Sequence, residues 1–140
     1  LVYCKDQKIV CAIHSGWLGT VRQIVDHTIR YLIEKENCNP KEMYCLIGPC
    51  LSKKHLEVQD DVINQVKKMN FDTSPFYQKT DETHYLLDNK GLNKQQLLNL
   101  GVLEENIQVS SYCTNENNDL FFSHRANHDG QRNVTIIKRK

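Results

Sequence analysis

Apolar residues fall into short blocks along the first third of the chain, separated by polar turns. Residues 8–13 (Lys-Ile-Val-Cys-Ala-Ile) predict a buried strand that stops at His14, and Leu1-Val2-Tyr3-Cys4 predicts another. Between residues 20 and 35, Val21, Ile24, Val25, Ile29, Leu32 and Ile33 recur at the spacing of one helix face, with Asp26 and Arg30 four apart as a solvated pair. Asn37 to Pro40 ends that helix, and Met43-Tyr44-Cys45-Leu46-Ile47 forms a second short strand stopped by Gly48-Pro49. Strand, helix and strand in this order predict a βαβ unit with parallel strands.

The pattern then becomes mixed. A helix is expected over residues 59–68, with Val62, Ile63 and Val66 inward, followed by a polar loop over 70–83 with at most a weak strand near Phe76-Tyr77. Tyr85-Leu86-Leu87 and Ile107-Gln108-Val109-Ser110 read as strands, and Leu92 to Leu100 as a helix closed by Gly101. Residues 113–132 read as loop around Phe121-Phe122, and 133–138 as a closing strand. The expected fold class is α+β, an α/β sandwich with mixed sheets flanked by helices, in one domain over residues 1–140.

Composition narrows the function classes. A net charge of +1 with 25% charged and 39% hydrophobic residues argues against disorder, a membrane span or a nucleic-acid surface. Six cysteines form no C-x-x-C pair, so neither a zinc ribbon nor a thioredoxin-like redox pair is expected, and a cytoplasmic location fits. The first residue is Leu and lies already in a strand pattern, so upstream protein is expected.

Three polar clusters interrupt the apolar pattern. The first is His14-Ser15-Gly16-Trp17-Leu18-Gly19-Thr20, where a strand hands over to a helix. Amides opening that helix from about Gly19 would suit an anion or polar ligand. His14 is either a metal or cleft residue at a strand's carboxyl end or a histidine hydrogen-bonded into the core. The second cluster is Ile47-Gly48-Pro49-Cys50 running to His55-Leu56-Glu57. Cys50 is a candidate nucleophile or a buried strand-end thiol, and Glu57 a candidate general acid or base or a solvated carboxylate. The third runs from Cys113-Thr114 through Phe121-Phe122-Ser123-His124-Arg125 to Gly130-Gln131-Arg132. Arg125 and Arg132 are candidate phosphate ligands or surface cover. No second histidine or cysteine stands at local ligand spacing from His14, and the His-x-His pairs of a multicopper centre are absent.

Taken together and in order, these clusters resemble the YfiH family, also called the laccase-domain or polyphenol-oxidase family. His14-Ser-Gly-Trp-Leu-Gly-Thr is similar to its His-Ala-Gly-Trp-Arg-Gly-Thr signature, with Leu18 in place of the arginine. Ile47-Gly-Pro-Cys50 with His55-Leu-Glu57-Val58 resembles its Ile-Gly-Pro…Tyr-Glu-Val segment, with His55 where a cysteine is common. Cys113-Thr114…Phe121-Phe122-Ser123-His124-Arg125…Gly130-Gln131-Arg132 resembles its Cys-Thr…Phe-Phe-Ser-Tyr-Arg…Gly-Arg ending, with His124 for tyrosine.

The resemblance implies an enzyme of purine nucleosides that cleaves inosine, guanosine, adenosine or methylthioadenosine with phosphate and also deaminates adenosine. It implies one metal, zinc with copper as the older alternative, held by the histidine matching His14 and by a histidine and a cysteine of upstream motifs. It implies an α/β sandwich related to the cysteine-dependent deamidase domain of certain bacterial toxins. The chain would then be the C-terminal portion of a longer domain. Two rivals follow. One is a thiol hydrolase with Cys50 or Cys113 as nucleophile and His14 or His55 as base; the other is a domain that has kept the fold and lost the site.

Overall fold

A computed structural model describes residues 1–128 and 130–139. The chain packs as two compact units, one made of residues 1–48, 91–110 and 136–140, the other of residues 49–90 and 111–135.

The first unit is built on a four-stranded sheet in the order β2-β1-β3-β7, from β1 (Val2–Cys4), β2 (Ile9–Cys11), β3 (Met43–Ile47) and β7 (Ile107–Val109). β1 runs antiparallel to both β2 and β3, pairing Val2 with Cys11 on one side and with Cys45 on the other. The expected parallel relation of β2 and β3 therefore holds in direction, but β1 lies between them. The direct parallel neighbour of β3 is β7. Val2, Cys4, Ile29, Met43, Cys45 and Leu97 are among the residues that close the core. Burial pushes the Cys4 thiol far up and that of Cys45 up to about 11, so both behave as small hydrophobes.

The helix expected over 20–35 is two helices. α1 (Trp17–Val21) stops, Gln23 turns left-handed at φ 56°, and α2 (Ile24–Glu34) starts again. A left-handed residue breaks the register of a helix face, and Ile24, expected inward, stays 38% exposed while Val25, Ile29 and Leu32 are buried. The Asp26–Arg30 pair forms, with Arg30 Nε donating to Asp26 Oδ2 at 2.6 Å. It is not the expected surface contact on both sides, because Asp26 is buried and only Arg30 reaches solvent. α4 (Asn89–Asn99) ends as expected, with Gly101 at φ +85° as its left-handed terminator.

The second unit has a three-stranded antiparallel sheet in the order β4-β6-β5, from β4 (Glu57–Gln59), β5 (Tyr77–Lys79) and β6 (His84–Leu87). α3 (Asp60–Val66) buries Val62, Ile63 and Val66, the three positions its periodicity marked. A short helix, α5 (His124–Asn127), lies in the stretch expected to be loop. One mixed and one antiparallel sheet, each with helices beside it, are thus the architecture, in keeping with the α+β class that the alternation of patterns predicted.

Residues 133–138 form no strand. A strand needs a partner to satisfy its backbone, and the alternating Val134 and Ile136 are each 82% exposed. Asn133 instead clamps the backbone of Phe122, accepting from its N–H at 2.9 Å and donating to its carbonyl at 2.7 Å. No helix among the described residues is long and apolar enough to cross a membrane.

Asp81 organises the β5–β6 turn. Its carboxylate accepts from the amides of Thr83 and His84 and meets His84 Nδ1 at 2.9 Å. The amides lower the Asp81 pKa, and the hydrogen bond to Asp81 raises that of His84. Histidine stabilisation of this sign is complete below the unfolded-state pKa and fades as pH rises through the raised folded value; that of Asp81 fades as pH falls through its lowered one. An NMR titration of the His84 ring should show a midpoint above the ordinary value of about 6.5, returning towards it in Asp81→Asn.

Candidate functional site

The turn carrying His14 is held by a closed loop of side-chain hydrogen bonds. Asn93 Nδ2 donates to Thr20 Oγ1 at 2.9 Å, Thr20 and Ser15 hydroxyls meet at 2.9 Å, and Ser15 Oγ donates to Asn93 Oδ1 at 2.7 Å. Closing the ring makes Thr20 the donor to Ser15. Thr20 is fully buried and Asn93 nearly so, so each of these groups needs its partner. One turn further along α4, Gln96 takes up two backbone groups. Its Oε1 accepts from the Asp26 amide in the first turn of α2, and its Nε2 reaches the Thr20 carbonyl. α2 has no side-chain cap of its own, so a residue of another helix satisfies one of its opening amides.

On this frame Gly16 caps α1, and Gly19 lies inside it, where a Cβ would press on Ile24 at 3.3 Å and on the His14 carbonyl at 3.4 Å. The helix thus opens at Trp17, ahead of the expected start at Gly19, and runs for five residues. His14, Trp17 and Leu18 of this turn are exposed. His14 belongs to no group of three metal-ligating side chains among the described residues. Alone it supplies one donor, so the described residues do not complete the metal site implied by the family signature.

The second and third clusters of the sequence meet in the other unit. Cys50 and Cys113 form an isolated parallel bridge, with the Thr114 amide donating to the Cys50 carbonyl at 3.2 Å. The turn at Cys113–Asn117 and the 3-10 turn at Lys53–His55 then face each other. His55 Nδ1 lies 3.7 Å from Cys113 Sγ, 3.2 Å from Glu116 Oε1 and 3.2 Å from Ser52 Oγ. Cys113 is buried, His55 half-buried and Glu116 exposed. The three ligand atoms lie within 4.8 Å of one another, close enough to face a single ion.

The two candidate thiols differ. Burial pushes the Cys50 thiol up, and it donates to the Leu51 carbonyl at 3.4 Å. Burial also acts to raise Cys113, but the Ser52 hydroxyl and the amides of Ser52, Glu116 and Asn115 aim at its sulfur and hold it below the ordinary thiol range. Glu57 lies exposed on β4 outside this group. Arg125 donates through Nη2 to the Glu57 carbonyl at 2.9 Å, and Arg132 through Nη1 to its neighbour Gln131 at 2.8 Å. Both arginines are exposed.

Comparison with known proteins follows the motifs. The family described as "Multi-copper polyphenol oxidoreductase laccase" matches residues 1–140. The chain belongs to this family. It is 36% identical over 123 residues to the purine nucleoside phosphorylase YlmD of Bacillus subtilis (strain 168), covering 88% of this chain and 44% of that protein. It is 31% identical over 140 residues to a purine nucleoside phosphorylase of Staphylococcus epidermidis (strain ATCC 12228 / FDA PCI 1200), covering 99% of this chain and 51% of that protein. The crystal structure of Bacillus licheniformis hypothetical protein YfiH superimposes with a TM-score of 0.88 at 30% identity, over 91% of this chain and 48% of that one. This laccase-domain chain spans about half the length of the curated relatives it matches.

Within the laccase-domain chain, Glu116 is the member of the His-Cys-Glu group that the pattern of the sequence did not bring forward. Its signal was the spacing Cys113-Thr-Asn-Glu116, one turn apart, but the partner histidine lies 58 positions from Cys113 and only the tertiary fold joins them. The ring that holds His14 gives a direct test. Asn93→Leu removes the donor to the buried Thr20 hydroxyl and the acceptor of the half-buried Ser15 hydroxyl, and urea unfolding should show a loss of about 1–3 kcal/mol. Ser15→Ala, at the half-buried edge of the ring, should cost less. Equal stability in Asn93→Leu and the parent would contradict the ring.

Proposed function

We propose that these residues are the C-terminal portion of a cytoplasmic enzyme that cleaves purine nucleosides with phosphate and deaminates adenosine. The observation that carries the reading is the family signature at His14, set on a buried hydrogen-bonded frame that leaves the imidazole exposed. The substrates proposed are inosine, guanosine, adenosine and methylthioadenosine; the names of the relatives, purine nucleoside phosphorylases, support that class. His14 is proposed to contribute one of the zinc ligands, with the remaining donors outside these 140 residues.

What the chain's own residues do is bind and orient. In phosphorolysis a phosphate oxygen attacks the anomeric carbon of the ribose as the bond to the base breaks, so the phosphate has to be held with its charge compensated. Arg125 and Arg132 are proposed for that role because a guanidinium meets phosphate with paired donors. Arg125 is anchored by the Glu57 carbonyl, which fixes where its charge sits. Leu18 removes the charge that the signature arginine would place two residues into α1, so phosphate binding here rests on the later arginines.

The deciding experiment uses a full-length parent with the upstream motifs, and its His14→Ala variant. Consumption of inosine or adenosine with bound zinc, both lost in the variant, is the expected result. A parent that leaves purine nucleosides untouched would overturn the reading. Arg125→Ala and Arg132→Ala should raise the phosphate concentration needed for half-maximal rate by about 10-fold or more, as expected from losing a charge-assisted bond of roughly 1.5–3 kcal/mol. An unchanged phosphate dependence would remove the arginines from this role.

A further inference from the structure

We propose that His55, Cys113 and Glu116 form a divalent-metal site, with zinc the best match to the donor set. The first argument is geometric. Tetrahedral zinc with ordinary bond lengths places a nitrogen and a thiolate sulfur roughly 3.6 Å apart, and a nitrogen and a carboxylate oxygen roughly 3.3 Å apart. His55 Nδ1 lies 3.7 Å from Cys113 Sγ and 3.2 Å from Glu116 Oε1. Two of the three donor separations thus match edges of one coordination tetrahedron before any ion is added, and all three ligand atoms lie within 4.8 Å of one another.

The second argument separates this from a catalytic thiol with a histidine base. A relay needs the imidazole to use its two nitrogens in opposite directions, one towards the thiol and one towards the carboxylate. Here one nitrogen, Nδ1, faces the sulfur, the carboxylate and the Ser52 hydroxyl together. A single nitrogen carries either one proton or one lone pair, so it cannot take a proton from Cys113 while donating one to Glu116. A cation in the space between them uses the lone pair, the thiolate and the carboxylate at once.

The surroundings fit an ion with an open position. Cys113 and Glu116 come from one turn, and His55 is set by a turn in which its own amide donates to the Ser52 carbonyl at 2.9 Å. The Ser52 amide lies 3.4 Å from Cys113 Sγ, an outer contact of the sort that orients a thiolate ligand. Lys54 Nζ touches Glu116 at 3.9 Å from an exposed position, a contact that a bound cation would replace. Three protein ligands with Glu116 on the solvent side leave room for water as the fourth.

The test is a titration of the whole chain, stripped of metal by chelation, with cobalt(II) as a coloured stand-in and zinc as competitor. The expected result is about one cobalt bound per chain with a thiolate-to-cobalt charge-transfer band that zinc abolishes. The band should be absent in Cys113→Ser and retained in Cys50→Ser and in His14→Ala. His55→Ala and Glu116→Gln, at half-buried and exposed positions, should weaken binding at least about 10-fold while circular dichroism stays unchanged. If Cys113→Ser fails to fold, the His55 and Glu116 variants decide. No band in the unaltered chain, a band lost in His14→Ala, or full affinity in His55→Ala would each overturn the proposal. Because no turnover is read, failure of the nucleoside reading leaves these outcomes intact.

Discussion

A buried hydroxyl cannot be left without a partner, and Thr20 is fully buried. That constraint ties together much of the first unit. Thr20 closes a hydrogen-bond ring with Ser15 and Asn93, and its own carbonyl is met by Gln96. Two residues of α4 therefore dictate where α1 sits and where α2 begins. The exposed His14 rides on the same frame, one residue before Ser15. An apolar contact would hold these helices together without choosing a register, because apolar packing is non-directional; the ring chooses one.

The second unit solves a different problem with the same kind of polar chemistry. Its sheet and α3 form an ordinary apolar layer, with Val58, Ile63, Tyr85 and Leu87 buried. The polar residues gather where two turns meet. There a buried sulfur is surrounded by amides, and an imidazole and a carboxylate converge on the same small volume. Such a concentration of lone pairs is costly unless protons or a cation are shared among them. The family signature runs through His14; the His-Cys-Glu group is brought together by the tertiary fold.

Strong local patterns were legible. β3 has the bounds its apolar run predicted, α3 buries the three residues its period marked, and Gly101 ends α4 in the left-handed conformation expected of a terminating glycine. The family signature was legible as well, because it rests on residue identities in order along the chain. Less legible were the breaks. Nothing in the apolar spacing of residues 20–35 announces that Gln23 turns left-handed; Gln96, which bonds the Thr20 carbonyl and the Asp26 amide on either side of that turn, lies 76 and 70 positions from them. Residues 133–138 carry the alternation of a strand and lack one, because pairing is a property of two segments.

The chain's sequence by itself thus determined most of the helical stretches, the short strand β3, the terminating glycine and the family. Each of these depends on interactions within a few residues or on identity alone. Tertiary structure decided that β1 lies between β2 and β3, that Asn93 supports the turn of His14, and that His55 meets Cys113 and Glu116. Those outcomes join residues tens of positions apart. Which distant groups meet depends on how buried polar atoms find partners once the apolar faces have closed, and no local pattern carries that information.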